Sequence, residues 1–351
     1  MKTTYISTQA ASTASRLSIL KMQTELAKNT KELSSGRWAD VGLELGNKTG
    51  RTISLRQDYQ RLDAIRDTNG LVASRLDTSQ AALDGVLKNA QDFAASLIAV
   101  RSGKVGAEVI ADDAKNNLQS LIASLNTSIN GEYLFAGINT DVRPVADYYA
   151  TPTSTTKAAF DSELASYCTS VGAATPGDLS ASDLEAFIDV NLAGLFDAAS
   201  WSDPATGWSS ASSQNVKSRI STSELIETSA NANDAAFRKL AMAYTMISEL
   251  ADSGLSEKAY QTLIDKTAQI VGDATVDVTV VKARLGTAQE RLSNANGRIK
   301  AQMDILNRNI NNFEQVDPME AQTRISALET QLDMAFALTS RMQQLSLLNY
   351  L

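Results

Sequence analysis

Arg298-Ile299-Lys300-Ala301-Gln302-Met303-Asp304-Ile305-Leu306-Asn307-Arg308-Asn309-Ile310-Asn311-Asn312-Phe313 has neither glycine nor proline, and its apolar residues recur at a helical period. Leu285, Leu292, Ile299, Leu306 and Phe313 return at heptad spacing, with Met303 and Ile310 filling the alternate seam. The stripe reads first as an intramolecular bundle core and second as a seam for a partner. Just upstream, Thr275-Val276-Asp277-Val278-Thr279-Val280-Val281 is rich in β-branched residues, which favour strands. It lies inside the helical period, and such residues cost only a few tenths of a kcal/mol each in a helix, so the whole tract is expected to be helical.

The same period extends outward in both directions. Asp317-Pro318 interrupts it, with Pro318 placed for the first turn of a new helix. That helix carries Ile325, Leu328, Leu332, Ala335, Met342 and Leu345 on one face. At the other end, Ile19, Met22, Leu26 and Leu33 follow the 3–4 spacing of a narrow seam, and Gly36 is positioned as a C-cap. A glycine-spaced connector with Gly42, Gly46 and Gly50 leads to helical tracts expected over 52–101 and 107–130. Gly131-Glu132-Tyr133-Leu134-Phe135-Ala136-Gly137 reads as a short strand between glycines, and helix is expected again from about Asn215.

Between 141 and 215 the composition changes. This segment holds four of the five prolines, Trp201, Trp208 and the single cysteine, Cys168. It has 2 Lys/Arg against 10 Asp/Glu, so it accounts for the whole formal charge of -8. The fold expected is mainly α, an elongated arrangement in which the N- and C-terminal helices pair in a coiled coil. The domains expected are a terminal coiled coil from 1–50 and 290–351, a helical bundle from 51–140 and 216–289, and a small β-containing acidic insert at 141–215.

The composition also excludes chemistry. With no histidine and one cysteine there is no imidazole-activated nucleophile, no His-ligated zinc, no internal disulfide and no thiolate cluster. Asp112-Asp113 and Asp161/Glu163 could be nominated for carboxylate catalysis, but they read as solvated surface charge. A catalytic role, a cofactor and a metal are therefore not expected. No basic patch interleaved with aromatics points to nucleic acid. No run approaches the ~20 apolar residues of a membrane span, and Met1-Lys2-Thr3-Thr4-Tyr5-Ile6 lacks the apolar core of a secretory signal.

Several short stretches resemble one family. Leu33-Ser34-Ser35-Gly36-Arg37, closing the first helix, is similar to the Leu-Ser-Ser-Gly signature of bacterial flagellins and their junction relatives. The Gly131–Gly137 segment, Asn233-Asp234-Ala235-Ala236-Phe237-Arg238-Lys239-Leu240 and Val316-Asp317-Pro318-Met319-Glu320-Ala321 resemble the hook–filament junction proteins, the FlgL family (hook-associated protein 3). The ending Leu345-Ser346-Leu347-Leu348-Asn349-Tyr350-Leu351 is similar to that family rather than to filament flagellins. The resemblance covers roughly 1–140 and 215–351; the glycine-spaced connector at 36–50 departs from it.

The resemblance implies a non-enzymatic structural protein of the bacterial flagellum, extracellular and exported through the flagellar type III apparatus. Its implied partners are a ring of its own copies, flagellin, the other hook-associated junction protein and an export chaperone. Ile19, Met22, Leu26, Leu33, Leu328, Leu332, Met342, Leu345, Leu347, Leu348 and Leu351 are the candidate assembly and chaperone-docking residues. The terminal helices are expected to order fully only when neighbouring subunits cover them. Two other readings stay open: filament flagellin itself, and a secreted carbohydrate-binding adhesin using Trp201 and Trp208.

Overall fold

The computed structural model describes residues 8–101 and 106–348. In chain order the elements are α1 (Thr8–Ser35), α2 (Val41–Leu45), α3 (Thr49–Val100), α4 (Ala107–Leu125), β1 (Ser128–Ile129), β2 (Glu132–Tyr133), α5 (Thr155–Val171), α6 (Ala181–Ala186), a π-helical turn (Phe187–Leu192), α7 (Ala193–Leu195), α8 (Ala198–Trp201), β3 (Lys217–Arg219), β4 (Leu225–Glu227), α9 (Ala235–Leu250), α10 (Glu257–Glu314) and α11 (Pro318–Leu348). The chain divides into two compact units, one from 1–63 and 300–351 and the other from 64–299. Both cuts fall inside continuous helices, α3 and α10, rather than at the expected 50 and 290. A continuous helix carries no sequence break there, whereas the glycines at 42, 46 and 50 mark only α2 and a 3-10 turn.

Local chemistry sets the helix ends. Gly36 closes α1 at φ +68, a left-handed conformation that glycine adopts without penalty, and its N–H donates to the Glu32 carbonyl at 2.8 Å. The Asp40 side chain accepts the Leu43 N–H at 2.9 Å and starts α2. Asp317 accepts the Met319 N–H at 2.8 Å ahead of Pro318 in the first turn of α11.

In the unit formed by 64–299, α9 is the interior helix. Phe237, Leu240, Ala243, Tyr244, Met246, Ile247 and Leu250 are all nearly or fully buried, so apolar side chains meet protein around most of its circumference. Leu76, Leu83 and Phe93 of α3, Leu118 and Leu121 of α4, and Leu263, Val278 and Leu285 of α10 belong to the same core. Phe93 meets Tyr244 edge-on at 5.0 Å. The β-branched stretch 275–281 lies within α10: burial of Val278 and Val281 outweighs its strand propensity, although Val276 and Val280 stay exposed.

Three expectations are corrected. Segment 141–215 is built of helices; its β pairing among the described residues is one bridge, Val145 to Ser209, and the two hairpins lie outside it. Side-chain caps at Ser154, Ser180 and Asp197 start these helices, and Phe160, Leu164 and Cys168 line one face of α5. Nor is the segment a separate domain by its contacts. Tyr148, Phe160, Phe187, Trp201 and Trp208 enter the core of the larger unit, and the Trp201 indole donates to the Ala232 carbonyl at 3.1 Å. Helix resumes at Ala235, not near Asn215, because 217–227 forms the antiparallel hairpin β3–β4.

The strand read into 131–137 is limited to β2, which pairs with β1 through Asn130 and Gly131, both at positive φ, as a tight hairpin turn requires. Beyond it Gly137, at φ +63, lies against the backbone of 212–214. A Cβ there would collide with the Ser212 carbonyl oxygen and stand 2.6 Å from that of Gln214. Gly137→Ala is therefore expected to destabilise the protein by about 3 kcal/mol, through backbone strain and steric overlap together. Urea unfolding followed by circular dichroism measures this; a loss under 1 kcal/mol contradicts the packing described (about a third of the expected effect).

Candidate assembly surface

The unit formed by 1–63 and 300–351 is dominated by the pairing of α1 with α11. Ser15 Oγ lies 3.0 Å from Thr339 Oγ1, and Glu32 lies 4.0 Å from Arg324, so residue numbers rise in one helix as they fall in the other: the pair is antiparallel. The predicted residues Ile19, Met22, Leu26 and Leu33 lie on α1 and are half-buried. Across α11, Ala321, Ile325 and Leu332 are buried, whereas Leu328 and Met342 are half-buried. The side chains of Leu345, Leu347 and Leu348, and the whole of Leu351, lie outside the described residues.

Residues absent from the predicted set carry the exposed apolar surface. Leu17 is 62% exposed and Leu20 57%; on α11 the values are 54% for Met334 and 61% for Leu338. At ~100° per residue, Leu17 and Leu20 point roughly 170° and 130° away from the mean direction of the Ile19–Leu33 seam. The antiparallel register places Leu17 level with Leu338, and Leu20 level with Met334. This stretch of the pair is thus apolar on its outward faces as well as between the helices. Phe336 adds a half-exposed ring beside the seam. The signal was present in the sequence as apolar residues left over once each stripe had been assigned.

At the other end of the pair, two glutamates are wholly buried. The Glu314 carboxylate accepts from Arg56 through both oxygens, the Nε contact measuring 2.7 Å, and Arg37 approaches at 3.8 Å. Its carbonyl accepts the Trp38 N–H at 3.0 Å, and the Gly36 carbonyl accepts the Val316 N–H at 3.1 Å. Glu32 Oε1 accepts the Ala39 N–H at 3.1 Å, while Oε2 lacks a hydrogen-bond donor and is balanced by Arg324 at 4.0 Å. The Arg324 guanidinium lies over the Trp38 ring, 5.5 Å from its centre. The α1–α2 turn is thereby fixed to the α10–α11 turn.

Residues 6–140 match the bacterial flagellin N-terminal helical region, and residues 268–351 match the bacterial flagellin C-terminal helical region. The two matches together span more than half of the sequence, and the chain belongs to the flagellin family. It is accordingly a structural protein of the bacterial flagellum, from a family that works in multi-subunit assemblies. The fold is similar to a solved structure described as a flagellar hook-associated protein from Vibrio parahaemolyticus. That similarity has a TM-score of 0.52 at 10% identity, covering 76% of this chain and 97% of that one. A structure of Bacillus cereus FlgL aligns at a TM-score of 0.49 and 11% identity, covering 74% and 98%. No curated protein matches the sequence. Among the described residues, no cluster of three or more Asp, Glu or Cys side chains could hold a metal, and no helix is long and apolar enough to cross a membrane.

Substitutions separate the seam from the outward face. Leu332→Ala is expected to cost about 2 kcal/mol through lost burial, whereas Leu338→Ser stays within about 0.5 kcal/mol. Arg56→Ala leaves the Glu314 carboxylate without its bidentate partner. It is expected to cost about 2 kcal/mol, below the value for a fully buried pair because Arg56 is half in water. Urea titration of the full chain, read by helical ellipticity, tests all three; equal losses for Leu332→Ala and Leu338→Ser would sink the assignment of faces.

Proposed function

We propose that this chain is a hook–filament junction subunit, joining hook-associated protein below to flagellin above. The observation that carries the reading is the terminal helix pair, whose apolar side chains face outward at the level where its seam is also apolar. Covering both outward faces takes neighbouring subunits, and copies of the same chain arranged around an axis do so by repeating one contact. The C-terminal sequence resemblance favours the junction over the filament. In this reading the chain leaves the cell through the flagellar type III apparatus, with α11 presenting its apolar face to an export chaperone first and to ring neighbours afterwards. The role needs neither catalysis nor a cofactor.

The adhesin reading finds no support. Trp201 and Trp208 are buried and stacked on each other at 5.3 Å with 9° between their planes, and Trp208 also stacks on Tyr148 at 5.0 Å. Neither ring offers a broad free face to a sugar.

Deletion of the gene, followed by electron microscopy of cells and spent medium, tests the proposal. The expected result is hooks without filaments, with unpolymerised flagellin in the medium. Bare hooks with no secreted flagellin would instead identify the filament subunit, and an unchanged flagellum would overturn both. Leu17→Ser/Leu338→Ser is expected to reproduce the deletion while the protein remains folded; wild-type filaments on that strain would remove the outward face from the interface.

A further inference from the structure

Within the larger unit, a cavity of about 130 Å³ opens between α5 and the turn that follows α8. An engineered apolar cavity of about 150 Å³ admits benzene, so this space holds a group of several carbon atoms. Phe160, Phe196 and Trp208 supply apolar wall, and Ser200 and Thr206 supply hydroxyls. Among the described residues, Asp203 is the only ionisable one lining it.

The turn is tightly built. Asp203 Oδ1 accepts the N–H groups of Ala205 at 2.8 Å and Thr206 at 2.9 Å, and the Thr206 hydroxyl at 3.2 Å. A Cβ on Gly207 would stand 2.5–2.7 Å from the backbone of Asp203 and Trp201, so only glycine closes the turn this tightly. The amides of Ala205 and Thr206 favour the ionised carboxylate and hold the Asp203 carboxyl below its usual range. All three bonds end on Oδ1; among the described residues neither a donor to Oδ2 nor an ion-pair partner for Asp203 is found. The surrounding segment 141–215 has 10 acidic against 2 basic residues, a local excess that favours cations.

A neutral apolar guest would strip water from the Asp203 carboxylate without replacing it. An anion would meet the Asp203 charge directly. We propose that the cavity is a binding site for a small organic cation, a primary ammonium on a chain of about four carbons, with its carbon body against the aromatic walls and its ammonium on Asp203. This site belongs to the larger unit, and the inference is independent of the junction reading.

The test titrates the full-length protein with n-butylammonium chloride and, at matched ionic strength, with n-butanol as the uncharged probe. The readout is the indole N–H resonances of Trp201 and Trp208. Butylammonium is expected to saturate, with butanol at least about tenfold weaker. Asp203→Asn is expected to weaken butylammonium by a similar factor. Because Asp203 also caps its own turn, Ala159→Phe serves as the second variant: it fills the cavity from α5, leaves the carboxylate in place and is expected to abolish saturation. Equal response to both probes, a linear response, or an unchanged titration in Ala159→Phe overturns the site. A third probe, lysine blocked at both ends, separates the sources: saturation by it as well assigns a polypeptide lysine, and saturation by butylammonium alone assigns a free amine.

Discussion

Burial of Glu314 at the end of α10 is the constraint on which the terminal unit rests. A carboxylate removed from water is tolerated only where opposite charge and hydrogen bonds replace its hydration. Arg56 provides both through a bidentate contact, and Arg37 adds a second cation. Arg56 belongs to α3 and Arg37 to the turn after α1, so satisfying one side chain draws three separate pieces of chain together. The backbone follows, with N–H to C=O contacts running both ways between 36–38 and 314–316. Glu32 repeats the logic from the opposite side, taking the Ala39 N–H and facing Arg324 of α11.

Such charges contribute specificity more than stability. An apolar seam of half-buried residues such as Ile19, Met22, Leu26 and Leu328 tolerates sliding by a turn, since one leucine replaces another at similar energy. Glu32 and Glu314 do not tolerate it. Shifted by a turn, either would sit buried away from its guanidinium, a loss of several kcal/mol that no regained apolar contact offsets. The fixed end of the pair therefore sets the register for its whole length, including the level that Leu17 shares with Leu338 and Leu20 with Met334.

The long helices were legible because their period runs over dozens of residues without glycine or proline, so local errors average out. Even the valine-rich stretch of α10 could be placed, since burial of Val278 and Val281 follows from the surrounding period. The middle was not legible for the opposite reason. Helices as short as α6 and α8 hold too few turns for a period to emerge, and their start signals, Ser180 and Asp197, also suit turns. The β1–β2 hairpin is signalled by Asn130-Gly131, but a strand bounded by Gly131 and Gly137 leaves Asn130 outside it and hides the turn. At the terminal pair, 3–4 spacing picks out residues that are half-buried on α1, while the exposed Leu17, Leu20, Met334 and Leu338 fall outside the stripes. A stripe groups the residues that share one face, whereas in the proposed assembly each terminal helix serves two.

That second face also explains why the terminal helices stay slender. In the proposed assembly, seam residues need only limit exposure, because a neighbour that covers Leu17 and Leu338 also shields the seam edges that α1 and α11 leave half open. Larger seam side chains would close the pair by themselves and spread the helices, lowering what a neighbour gains by docking. On the proposed junction role, modest burial within the pair and marked exposure outside it are two sides of one design, in which apolar area is held back from folding and released on assembly. The buried glutamates make this arrangement workable. They define the register of an otherwise weakly determined pair before any neighbour arrives, so that the outward leucines are presented at one level rather than several.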